Sequence, residues 1–391
     1  MKIGINALFL IPGEVGGSET YFRNTLISAV RLYPQHEFVV FTNRENKQIL
    51  VRDLSKYSNA VLVDMRASAK SRARRILREQ FILPKVIRAN KIDVLWCPGN
   101  SSVFSCPCPC VTTIHDMQYM SFPEDFSKIA LLAMRVMTSL SIKKSDAILT
   151  VSEFSRQEII KYANADCEKI TVTLEAANSS FSQPLPNDFI AERVMVLTHS
   201  TEPYILMVSN SYPHKNLNVG VEAFGQICAE IPHNLVIVGK PRLGEPALQK
   251  AISALPDSSR VIRLTYLTNQ DLIALYQGAQ IFLFPSLYEG FGLPVLEAMS
   301  AGVPVLASRF GSIPEVGGTT IQYANPPDAP TFATSLKKLI AMPKEERDSS
   351  IANQKKRAEK FSWDNTATLT VSTCEEMVNQ APLLKRGNSL S

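Results

Sequence analysis

No run of the chain reaches the eighteen or more uninterrupted apolar residues that a membrane-spanning helix needs. The opening Met1-Lys2-Ile3-Gly4-Ile5-Asn6 reads as a strand and lacks the pattern of an export signal, so the expected location is the cytoplasm. No Gly-x-Gly-x-x-Gly follows that strand with an acid about twenty residues on, which counts against a dinucleotide dehydrogenase. An even cysteine framework is missing too. The seven cysteines (97, 106, 108, 110, 167, 228 and 374) are an odd set and point to reduced thiols. Three of them alternate with prolines in Cys106-Pro107-Cys108-Pro109-Cys110, and no fourth ligand stands at a zinc-site spacing. A proline-stiffened loop leading into a strand is the reading, with metal binding as its alternative. No repeat of solenoid period occurs.

What is present is ordinary in bulk and specific in detail. Hydrophobic residues make up 45% of 391, enough for large cores, and the length suggests two domains. Short apolar runs alternate with helical stretches, the pattern of parallel α/β layers. Expected strands in the first half are 2–7, 37–42, 60–63, 93–97, 110–115, 146–151 and 169–174; in the second they are 204–208, 235–238, 261–264, 281–284, 303–307 and 320–323. The stretch 175–202 between the two series is polar, carries Pro184 and Pro186, and reads as an irregular interdomain connection.

The most informative segment is Tyr288-Glu289-Gly290-Phe291-Gly292-Leu293-Pro294-Val295-Leu296-Glu297. It follows the apolar run 281–284, turns on two glycines and opens a helix with Pro294 in its first turn. The amides of such a turn can bind an anion, and Glu289 and Glu297 are placed to grip hydroxyls on either side of a diphosphate. Taken alone, Glu297 is also a common helix-dipole acid.

This segment, continuing through Ala298-Met299-Ser300-Ala301-Gly302-Val303-Pro304-Val305 and Gly311-Ser312-Ile313-Pro314-Glu315-Val316, resembles the paired-glutamate signature of retaining glycosyltransferases of family 4, with bacterial mannosyltransferases among its members. The resemblance implies the GT-B fold: two Rossmann-like, doubly wound α/β domains facing a cleft. It implies a donor-binding set of Glu289, Gly290, Phe291, Gly292, Leu293 and Glu297, with Glu289 on the donor sugar and Glu297 on the nucleotide ribose. Domain boundaries follow as an N-terminal acceptor-side domain over 1–183 and a nucleotide-sugar domain over 200–361. A C-terminal helix over 362–380 would cross back to the first domain, and 381–391 would form a disordered tail. A local amphipathic helix on the second domain is the plainer reading of 362–380.

Three further sites join on the same likeness. Gly16 and Gly17 follow the first strand, where the family has a glycine-rich loop facing donor phosphate or acceptor; a plain tight turn is the alternative. His115 ends Thr113-Ile114-His115-Asp116, similar to the family's first-domain signature, whose histidine approaches the donor sugar as a positioning or charge-stabilising group; a hydrogen-bonded loop residue is the alternative. Ser209-Asn210-Ser211-Tyr212-Pro213-His214-Lys215 follows the first strand of the second half. Here Ser209 replaces a usual glycine and His214 a usual arginine. Lys215 remains, a fixed ammonium able to neutralise a departing diphosphate.

Charge is uneven. Residues 1–175 carry 23 Lys and Arg against 17 Asp and Glu, the remainder 18 against 19. Much of the surplus lies over 66–91, interleaved with apolar residues as in a basic amphipathic helix. Such a helix serves an anionic membrane surface, or is a solvated face packed on the sheet; nucleic acid is disfavoured because no binding module accompanies it. The resemblance implies a metal-independent retaining glycosyltransferase without cofactor, using a GDP-linked mannose donor and a glycan or lipid-linked acceptor in surface polysaccharide assembly, in the cytoplasm or peripheral on the inner membrane face. A non-catalytic nucleotide-sugar or glycan-binding protein of the same fold is the rival. The two differ in whether nucleoside diphosphate is released.

Overall fold

The computed structural model describes residues 1–387, with side chains through 380. The chain forms two compact units, Met1–Glu175 together with the chain from Ser362 onward, and Ala176–Phe361.

In the first unit the strands are β1 (Lys2–Asn6), β2 (Glu37–Thr42), β3 (Ala60–Asp64), β4 (Val94–Cys97), β5 (Cys110–Thr113), β6 (Ala147–Thr150) and β7 (Ile170–Val172). All pair in parallel, in the order β3-β2-β1-β4-β5-β6-β7. Strands covered on both faces need not alternate, which is why Val94-Leu95-Trp96-Cys97 is buried at every position. The helix Gly17–Leu32 returns the chain from β1 to β2 and sets Tyr21 in the core, its ring edge-on to Trp96 and Trp363. Chain order reverses between β1 and β4, a switch point where open sheets of this kind bind ligands.

The last helix, Trp363–Gly387, packs in this unit against the helix Gly17–Leu32. Ala367, Val371 and Cys374 recur at helical spacing and are buried, and Thr366 Oγ1 donates to the carbonyl of Leu174. Residues 381–387, expected as disordered tail, continue this helix, while 388–391 lie outside the described residues.

The basic stretch 66–91 is not one helix. It folds as Arg72–Phe81 and Leu83–Ala89, broken at Ile82, where Pro84 in the first turn of the second helix cannot donate to the ladder of the first. Cys106 and Cys108 sit in the loop before β5 with sulfurs 3.7 Å apart, and Cys97 Sγ and Cys110 Sγ are 3.8 Å apart in the core. Among the described residues no three His, Cys, Asp or Glu side chains are arranged to hold a metal ion, and no helix is long and apolar enough to cross a membrane.

The second unit carries β8 (Tyr204–Val208), β9 (Asn234–Val238), β10 (Val261–Leu264), β11 (Ile281–Phe284), β12 (Val305–Ser308) and β13 (Gln322–Ala324), again all parallel, in the order β10-β9-β8-β11-β12-β13. One face of this sheet is filled by Phe224, Phe332, Leu235, Ile237 and Leu283. Its switch point falls between β8 and β11. The presumed connection is structured: Asn187–Thr198 is a helix, anchored by an Arg193–Asp271 ion pair of 2.6 Å and ended by His199 in the left-handed region (φ 52°). Ile190 and Val194 pack over Gly278, whose missing side chain makes the close approach feasible. The unit boundary thus falls at Glu175/Ala176, before 183, and 176–199 belong with the second unit.

Candidate active site

At the second switch point, two loops bring a cation and an acid together. After β8, the turn Pro213–Lys215 ends on Asn216, at φ 55°, and aims Lys215 along the sheet edge. After β11 comes the turn with Glu289. Lys215 Nζ and Glu289 Oε1 are 2.7 Å apart, with side chains 19% and 10% exposed. Both groups are pre-positioned and largely desolvated, yet within reach of a ligand.

The loops are stitched by backbone and hydroxyl bonds. Leu287 N donates to the carbonyl of His214 at 2.7 Å, and Ser286 Oγ donates to that of Tyr288 at 3.0 Å. Ser312 Oγ shares its one hydrogen between the carbonyls of Phe291 (2.7 Å) and Glu289 (3.0 Å), and Ser308 Oγ donates to that of Ser286. Gly311, at φ 60°, lies so close to Glu289 that a Cβ would meet its backbone at 2.9 Å. These hydroxyls and this glycine fix Glu289. None was singled out for that task in the sequence, because a buried serine at a strand end looks like any other.

Gly292 takes φ 100° as the cap of the helix Leu293–Ala301, which has Pro294 in its first turn, as the sequence predicts. Phe291 and Leu293 are buried, and Gly290 precedes them in the same turn. Glu297 accepts a hydrogen bond from Tyr276 Oη at 3.0 Å. The residue as a whole is only partly covered, but its carboxyl is desolvated, and burial pushes its pKa up to about 7. Glu297 lies beyond the first turn of this helix, which carries no acid.

His214 is 4% exposed, and burial, with the Lys215 charge beside it, pushes its pKa down to about 3. It is a neutral imidazole stacked on Tyr212, ring centroids 5.7 Å apart. As a neutral ring it cannot supply the charge of the arginine the family places there. Ser209 Oγ donates to the Asn210 carbonyl at 3.1 Å, and Asn210 Oδ1 accepts from Lys240 N at 2.8 Å. The glycine needed near Ser209 is Gly239, just past the neighbouring strand β9, where an added Cβ would collide with the Ser209 carbonyl at 2.0 Å.

In the first unit, Gly16 has φ 58° and caps the helix that Gly17 begins. Glu19 Oε2 accepts from Gly13 N at 2.7 Å and pins the loop, while Arg23 bridges Glu19 and Asp53. His115 follows β5. Its Nε2 donates to the Pro98 carbonyl at 2.9 Å, its backbone N donates to Asn100 Oδ1 at 2.8 Å, and its ring stands edge-on to Tyr21. Burial lowers its pKa and so favours the neutral ring. Within the second unit the structure brings together Ser209, Asn210, His214, Lys215, Glu289 to Leu293 and Glu297; Gly16, Gly17 and His115 belong to the first.

Two parallel sheets of this topology, with ligand-type loops at both switch points, are the GT-B architecture. Residues 15–174 match the family model described as Glycosyltransferase Family 4, and residues 189–357 the model described as Glycosyl transferases group 1. The chain belongs to this glycosyltransferase family. It is 32% identical over 267 residues to O-antigen chain mannosyltransferase B of Escherichia coli, a match covering 67% of this chain and 69% of that one. To the serotype-specific mannosyltransferase WbdA of Escherichia coli it is 33% identical over 239 residues, 59% of this chain and 28% of that one. The crystal structure of Anabaena Alr3699/HepE in complex with UDP and glucose superposes with a TM-score of 0.74 at 20% identity, covering 96% of this chain and all of that one. That likeness is one of fold.

Proposed function

We propose that this glycosyltransferase moves a hexose, mannose before glucose, from a GDP-linked donor to a glycan or lipid-linked acceptor in surface polysaccharide assembly, with retention at the anomeric carbon. The observation that carries the reading is the Lys215–Glu289 pair at the switch point of the second sheet. In the reading, the Lys215 ammonium takes the place of a metal ion beside the diphosphate and offsets the charge that grows as the C1–O bond breaks. Glu289 holds donor hydroxyls and Glu297 the ribose. The acceptor oxygen bonds to C1 from the face the diphosphate leaves, and the diphosphate takes the acceptor's proton. Mannose is favoured by the names of the bacterial relatives above.

The same reading puts the first unit at an anionic membrane. Leu77, Phe81 and Ile82 are 57%, 68% and 41% exposed beside the exposed Arg74, Lys85 and Arg88. Ile129, Leu132 and Val136 are exposed along the helix Lys128–Lys144. Apolar side chains ringed by cations suit a lipid interface better than bulk water.

A thermal-shift panel of nucleotide sugars tests the donor, since a ligand at a hundred times its dissociation constant adds about 2.7 kcal/mol of stability. GDP-mannose should raise the transition most, and its turnover should survive a chelator. A shift without any release of nucleoside diphosphate in the presence of acceptor extracts would favour the non-catalytic binder.

A further inference from the structure

A cavity of about 170 Å³ at the carboxyl edge of the first sheet is untouched by the donor reading. It is bounded by Gly99–Ser101 after β4, by Ile114 and Asp116 after β5, and by the helices Arg72–Phe81 and Lys128–Lys144. The space far exceeds one water, at about 30 Å³, and falls short of the roughly 300 Å³ at which drug-sized pockets begin. It suits a phosphoryl-sized group.

Arg72 and Arg75 both line it. The Arg75 side chain is 14% exposed, and its Nε is buried with no hydrogen-bond partner among the described residues. Its nearest acid, Glu79, stands 4.0 Å away and is itself held toward the neutral form by burial. Arg72 is exposed as a residue, but partial desolvation of its guanidinium, and next the Arg75 charge, lower its basicity. Asp116 also lines the cavity, its Oδ1 accepting from Gln118 N at 3.0 Å. Two guanidinium groups against one carboxylate leave the space cationic, and a buried donor without a partner calls for an explanation.

We infer that this cavity binds the phosphate of an anionic acceptor, with Arg72 and Arg75 donating to phosphoryl oxygens and Asp116 receiving a hydroxyl of the same molecule. The inference rests on the glycosyltransferase reading only in calling the ligand an acceptor. Two sources can supply this phosphate, and a neighbouring groove separates them. Tyr119 lines both the cavity and an apolar groove of about 480 Å³ walled by Met117, Met120, Val136 and Leu140. A lipid phosphate lays its chain there; a soluble sugar phosphate leaves it empty.

Titration calorimetry on the full chain decides the matter, using inorganic pyrophosphate and geranyl diphosphate on the parent, Arg72→Glu, Arg75→Gln and Lys215→Ala proteins. Pyrophosphate should show two classes of site on the parent, one lost in Lys215→Ala, the other weakened by at least about tenfold in each arginine variant. Arg72 is exposed, so its replacement keeps the fold even if Arg75→Gln does not. Loss in the lysine variant alone overturns the cavity site and leaves the donor reading standing. Loss in the arginine variants alone supports the cavity site and removes Lys215 from diphosphate binding. Geranyl diphosphate binding the cavity tighter than pyrophosphate, with the excess removed by Val136→Asp, supports the site with a lipid source; equal affinities support it with a soluble one.

Discussion

Lys215 and Glu289 meet at 2.7 Å although they follow strands of different halves of one sheet, β8 and β11, on either side of the point where chain order reverses. The pair holds both groups ready, and each keeps the other from being a lone desolvated charge. A diphosphate arriving beside Lys215 therefore competes with Glu289 for the ammonium.

Lys215→Ala should weaken nucleoside diphosphate and donor alike and nucleoside monophosphate less. One charge-assisted hydrogen bond corresponds to roughly 1.5–3 kcal/mol, about ten- to a hundredfold in affinity. The variant also leaves Glu289 unpaired, so Lys215→Ala with Glu289→Gln should bind diphosphate better than Lys215→Ala alone. Calorimetry on the three proteins reads this coupling. Additive losses would mean that the two residues do not share a ligand.

His214 should contribute nothing to the pH dependence of diphosphate binding between pH 8 and 5, since burial holds its pKa down to about 3. It acts on stability instead. A histidine neutral in the fold and protonated when unfolded gives stability that is present above its ordinary value of about 6.5 and lost as pH falls toward 3. Melting curves of parent and His214→Gln should diverge progressively below pH 6.5. An affinity gain on acidification that vanishes in His214→Gln would show instead an imidazolium in the site.

Glu297 has the opposite sign. Its carboxyl, raised to about 7, holds a proton more tightly folded than unfolded, so its burial favours the fold at low pH and costs stability as pH rises from about 4.5 to 7. Glu297→Gln should flatten that slope and melt higher than the parent at pH 8. A parallel pair of curves would place the carboxyl in solvent.

Membrane association should depend on Leu77 and Phe81 as well as on charge. Changing both to Ser, or Arg74 and Lys85 to Gln, should reduce flotation with anionic vesicles, each basic residue counting for about 1 kcal/mol at such a surface. Only the charge variants should alter its salt dependence. Arg75 and Arg78 are poor choices for this test, because Arg75 is mostly buried and Arg78 donates to the Met65 carbonyl at 2.9 Å.

All thirteen strands were legible in the sequence, because parallel strands covered on both faces are short, nearly continuous apolar runs such as Ile281-Phe282-Leu283-Phe284. The turn at Gly292 and the helix behind it were legible for a related reason: glycine and proline there satisfy local backbone demands. The helix Asn187–Thr198 was hidden by the prolines before it and by exposed Met195 and Val196, which blur its apolar face, while one of its anchors joins Arg193 to Asp271, 78 residues apart. Distance in sequence also hid Ser308, Ser312 and Gly239, which serve loops on neighbouring strands. The state of His214 and His115 depends on burial, which no local spacing reports.

The central claim is that Glu289 handles the sugar and Lys215 the diphosphate. It is tested most directly by following GDP release from GDP-mannose with acceptor in Glu289→Gln, alongside GDP affinity by calorimetry. The account predicts turnover lower by about a hundredfold or more, with GDP bound at least as tightly as by the parent because Lys215 is freed from its partner. Parental turnover in Glu289→Gln, or a loss of GDP affinity matching the loss of turnover, would contradict it.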